Sequence, residues 1–101
     1  MRSRIDLHEI LVGKLGSRQV YFNPPENISM KYPCIVYHLD TVRTRRADDA
    51  LYNGLKRYQI TVIDKDPDSE IPDSLIELAY CTLDRTYKTD GLCHFVFTIY
   101  F

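Results

Sequence analysis

The spacing of apolar residues changes repeatedly along this chain, and each change marks an element. Ile5, Leu7, Ile10, Leu11 and Leu15 recur at intervals near three and four, the period of one helix face. A first helix therefore runs from Arg4 to Leu15, with Ser3 as its N-cap and Gly16 as its end. "RQVYFN" reads as a short strand stopped by two prolines, and "PPENISMK" as a loop leading to Tyr32 and Pro33. "PCIVYHLDTVRTRR" is apolar on both faces at first and then polar and basic, as in a strand that starts inside a sheet and runs out of the body. "ADDALYNG" supplies turn residues. "LKRYQITVID" then returns with Tyr58, Ile60 and Val62 on one face and Arg57, Gln59 and Thr61 on the other, which completes a long antiparallel hairpin.

The second half returns to helical spacing before ending in a strand. Asp73, just after Pro72, is placed to cap a second helix whose apolar stripe is Leu75, Ile76, Leu78, Ala79 and Leu83. "KTDG" is a turn with Asp90 and Gly91 at the positive-φ positions. "LCHFVFTIYF" closes the chain with Phe95, Phe97, Ile99 and Phe101 on one face. The order is α-β-β-β-α-β, with a short additional strand near Arg85 to Tyr87 left open. The economical solution is an α+β fold in which two helices pack on one face of a mostly antiparallel sheet. Residues 1–101 then form a single domain. The other face would carry Arg57, Gln59, Thr61, Val96, Thr98 and Tyr100, a mixed surface suited to water or to a partner subunit. The chain's eight tyrosines favour a partner.

Composition narrows the function classes. The chain is 45% hydrophobic and 27% charged, close to the globular average, so nothing in it argues for a disordered or fibrous protein. A net charge of -1 gives no bulk field for nucleic acid or for a membrane surface. "MRSRIDLHEILVGKL" has no long apolar run, so it reads neither as a secretory signal nor as a membrane span, and a cytoplasmic protein is expected. Cys34, Cys81 and Cys93 are odd in number, widely spaced and without a C-x-x-C pair, so free thiols are expected.

Charge is concentrated locally. Asp64, Asp66, Asp68 and Glu70 cluster between the third strand and the second helix, with the alternate spacing that opens a calcium loop. The rest of that pattern fails, because Ser69 stands where glycine is needed and Leu75 where glutamate is needed. Acids ahead of a helix also favour its positive end, so the simpler reading is a strand-to-helix turn with no metal. His8, His38 and His94 lack metal-ligand spacing. Cys93 and His94 point to opposite faces of a strand, and no nucleophile elbow, phosphate loop or dinucleotide fingerprint is present. No enzyme and no cofactor are expected. Arg43, Arg45, Arg46, Lys56 and Arg57 form the one basic patch, on two arms of the hairpin. It could meet nucleic-acid phosphates, an acidic neighbouring subunit, or only solvent along a protected edge.

The run from Val20 to Ile76 resembles the tail terminator, or tail completion, family of long-tailed bacteriophages. The resemblance rests on the helix-first small domain, "VYFNPPENISMKYPCIVY", the long hairpin, and "YQITVID" followed by a polar turn and a second helix. It implies a ring, commonly a hexamer, at the head-proximal end of the tail tube, assembled in the bacterial cytoplasm and carried in the virion. Such a ring stops tube polymerisation and presents a surface to the head connector or stopper protein. Its partners are then its own copies, the tube protein and the connector, with no membrane, while genome DNA passes through the lumen without specific binding. The basic hairpin from Val42 to Arg57 would reach a neighbour or the tube, with the acidic loop Asp64 to Glu70 as a possible complement. Val96, Thr98 and Tyr100 on the terminal strand would offer an inter-subunit face. A head-completion or stopper protein, or a small metal-dependent nuclease, are the alternative readings.

Overall fold

The computed structural model describes residues 4–25, 30–40 and 56–101. Helix α1 (Arg4–Leu15) is followed by strands β1 (Val20–Phe22), β2 (Cys34–Leu39) and β3 (Arg57–Asp64), helix α2 (Ile71–Ile76), and strands β4 (Cys81–Thr89) and β5 (Leu92–Tyr100). The strands form one five-stranded sheet in the order β1-β2-β3-β5-β4. Every neighbouring pair is antiparallel except β1 and β2, which are parallel. The expected α+β architecture and the mostly antiparallel sheet are therefore present, with β4 as an added full strand.

The core lies between the helices and one face of the sheet. Period-two alternation puts Ile35 and Tyr37 of β2, Tyr58, Ile60 and Val62 of β3, and Phe97 and Ile99 of β5 on that face, all buried. Leu7 and Leu11 of α1 and Leu75 of α2 close over them and are fully buried, while Ile5 stays exposed. Gly16 ends α1 as expected: its φ is +84°, and its N–H donates to Val12 O at 2.9 Å. The expected cap at Ser3 lies outside the described residues.

The second helix is shorter than its apolar spacing suggests. It starts at Ile71, with Pro72 in its first turn, so Asp73 is inside the helix and does not cap it. Proline fits there because the first turn has no partner for the missing N–H and its φ is already helical. The helix stops at Ile76, and Tyr80 adopts a positive φ of 58° before β4 begins. Leu83, read as the end of the helical stripe, is instead a half-exposed β4 residue opposite Phe97. The short strand near Arg85 to Tyr87 is the middle of a nine-residue strand. Thr82, Thr86, Tyr87 and Thr89 favour extended backbone, and pairing with the apolar β5 decides the outcome. The Asp90-Gly91 turn has the two positive φ values, 53° and 75°, that its sequence demands.

The face away from the helices is less open than expected. Val96 and Thr98 are only 2% and 7% exposed. They sit on a central strand between Thr61 and Gln59 of β3 and Arg85 and Thr82 of β4. Asp84, the extra residue at an irregularity in the β4 register, turns its carboxylate to accept a hydrogen bond from the Thr98 hydroxyl.

Candidate assembly interface

Strand β3 joins the two charged regions that the sequence singled out. Arg57 is its first residue and Asp64 its last, so its length of roughly 24 Å separates them. At the Arg57 end, Lys56 is exposed, while Arg43, Arg45 and Arg46 lie outside the described residues. Arg57 itself is mostly covered, on the face away from the helices. Its Nε lies 3.4 Å from Asp40 Oδ2, with the two side chains only 16% and 18% exposed. Its guanidinium carbon stands 5.9 Å from the Tyr100 ring centre, within cation–π range. Asp40, which the sequence reading did not single out, is thus part of this region. The signal was the register: once Leu39 faces Tyr58, Asp40 falls opposite Arg57.

At the other end the acids divide into two kinds. Asp64 Oδ1 accepts the Asp66 N–H at 3.1 Å, and Asp66 Oδ1 accepts the Asp68 N–H at 2.9 Å. These two carboxylates build the turn, as aspartate side chains do when they bond two residues ahead. Asp68 and Glu70 are exposed, and their carboxylates make no hydrogen bond or ion pair among the described residues. Among the described residues no three His, Cys, Asp or Glu side chains are grouped to hold a metal. Pro67 places the loop beside the far end of the β4–β5 hairpin, sharing a groove with Tyr87, Lys88 and Phe95. The acidic loop and Arg57 therefore lie at opposite ends of one strand.

The terminal strand offers a partner less than expected. β5 pairs on both sides, with β3 and β4, so its backbone is already used. Val96 and Thr98 contribute almost no accessible surface, and Tyr100 is half-buried beside Arg57. Beside β5 lies the edge strand β4, where Leu83 and Tyr87 are 39% and 44% exposed. Its charges and its register irregularity at Asp84 are devices that discourage edge-to-edge pairing. Tyr87 stacks on His94, with ring centres 4.6 Å apart, on the side of β5 away from Cys93.

Two of the three free thiols are held protonated. Burial, and then the nearby Asp64 charge, pushes the Cys34 thiol up to about 11 from 9.0. Burial and then Asp84 push Cys81 to about 11 in the same way. Thiols so protonated at neutral pH are poor nucleophiles. One connected polar group gives no signal in the sequence. The hydroxyl of fully buried Tyr37 lies 2.8 Å from His8 Nδ1 and accepts from Arg4 Nη1 at 3.3 Å. Arg4 also stands 4.4 Å over the Phe22 ring. Nothing in the spacing of Arg4, His8 and Tyr37 advertises this, because it joins α1 to β2 only through the tertiary fold. No helix among the described residues is long and apolar enough to cross a membrane. Comparisons of the chain with protein-family models, curated proteins and solved structures found no match.

Proposed function

We propose that this chain is a tail terminator of a long-tailed bacteriophage. It forms a ring on the head-proximal end of the tail tube, stops tube growth and presents a joining surface to the head. The observation that supports this reading most is that exposed Lys56 stands just before one end of β3 and exposed Asp68 and Glu70, acids that the turn does not use, stand beyond the other. A ring closes through head-to-tail contacts, which need two different complementary patches on one subunit. The segment carrying Arg43, Arg45 and Arg46 supplies one, and Asp68 with Glu70 the other. The protein acts by surface complementarity, without cofactor or bond-making chemistry. Its site is the virion, after assembly in the bacterial cytoplasm, and its partners are its own copies, the tube protein and the head connector.

Deletion of the gene from its parent phage tests this directly by electron microscopy of the lysate. Abnormally long, headless tails beside filled heads are expected. Tails of normal length that fail to join heads would move the protein to the connector, and unchanged infectious particles would overturn the assembly reading altogether.

A further inference from the structure

The chain leaves the sheet at Asp40 and returns to it at Lys56, and three adjacent strands are tied together at that point. The Asp40 N–H donates to Arg57 O at 2.8 Å, while Lys56 and Phe101 exchange a pair of backbone bonds at 3.0 and 2.8 Å. Across the same end, Asp40, Arg57 and Tyr100 form a row of carboxylate, guanidinium and phenol ring on one face of the sheet. Arg57 is mostly covered there. A long connection between two strands carries a closure cost that loosens the last pairs before it. An ion pair across the final rung opposes that loosening.

We infer that the Asp40–Arg57 pair is a clamp that sets where residues 41–55 leave and re-enter the sheet. Arg57 is thus a positioning residue for the basic segment and not itself a docking cation. This role rests on the terminator reading for its functional consequence, but the clamp can be observed without it. Arg57 already has a carboxylate against Nε and an aromatic ring beside its plane, so turning it toward a neighbouring subunit would break both contacts. On the terminator reading the docking cations are then Arg45 and Arg46, which lie outside the described residues.

The test compares Asp40→Asn, Arg57→Gln and the exchanged pair Asp40→Arg with Arg57→Asp in the full chain. Native-state amide exchange is read at residues 40, 56 and 101, with the Ile60 and Val62 amides reporting that the middle of the sheet is intact. Each single variant is expected to exchange about fivefold faster at the first three positions, and the exchanged pair to recover most of the protection. Unchanged exchange would overturn the clamp whatever the protein does. Complementation of the deleted phage supplies the second readout, at a temperature where all variants are folded. Loss of tail-length control in the single variants, restored by the exchanged pair, is expected. Normal control in the folded single variants, or an exchanged pair that regains protection but not control, would overturn the positioning role.

Discussion

Tyr37 shows how one residue connects the two layers of the molecule. Its ring fills the core against Phe22 and Tyr58, while its hydroxyl meets Arg4 and His8 of α1. Burial raises its pKa, an effect that the Arg4 hydrogen bond and charge partly offset. Tyr58 is raised as well, first by burial and then by Tyr37. These shifts have the same sign as those of Cys34 and Cys81. In each case the folded state disfavours the ionised form, so the stabilisation is complete below the ordinary pKa and is lost as pH rises through the raised one. Stability should thus decline between about pH 9 and pH 11, with Cys34 contributing on the order of 2 kcal/mol. Denaturant unfolding at pH 8 and pH 10.5 checks this. Cys34→Ala should show the smaller alkaline loss, and equal losses in the two proteins would remove Cys34 as a cause.

At the scale of elements, the region from Tyr80 to Tyr87 shows what could be read in the sequence and what could not. Leu75, Leu78 and Leu83 keep helical spacing, yet Leu83 sits on an edge strand. A periodic pattern cannot reveal that Tyr80 takes a positive φ, or that β5 needs a partner on its second side. Alpha1, β3 and the Asp90-Gly91 turn were legible because local spacing and turn chemistry agree with the fold. Asp40 and the Tyr37 cluster were not, because each depends on register or on helix–sheet docking. The difference at Leu83 has a measurable consequence. Leu83→Thr suits a half-exposed strand position and should cost under about 1 kcal/mol, whereas a buried helical leucine would lose about 2–5 kcal/mol on truncation. Gly91→Val should cost more than Leu83→Thr, because a β-branched residue is poorly tolerated at a φ of 75°. Thermal unfolding of the two variants gives the order, and the reverse order would contradict the hairpin.

The whole molecule is nearly neutral but not uniform, and this difference is what an assembly contact could use. Net charge of -1 gives no long-range pull toward an extended polyanion, yet exposed Lys56 before one end of β3 and exposed Asp68 and Glu70 beyond the other give each copy two unlike ends. Contacts of this kind steer association and set register, and salt weakens them because the partners are exposed. Asp64 and Asp66 are unsuitable probes, since replacing either would open the turn they hold. Asp68 and Glu70 are suitable because their carboxylates carry no such duty. If the proposed terminator role holds, reversing Arg45 and Arg46 to Glu should weaken assembly on tail tubes by about tenfold, and reversing Asp68 and Glu70 to Lys should do the same. The four reversals together should recover much of the loss, because the pairing is restored with its signs exchanged. Assembly measured by sedimentation of purified variants with tail tubes, at low and at high salt, distinguishes the outcomes. Recovery in the combined variant would identify the two ends as partners across a subunit boundary. Additive loss would mean that each end meets a different partner, and assembly unchanged in every variant would remove charge as the basis of the proposed ring.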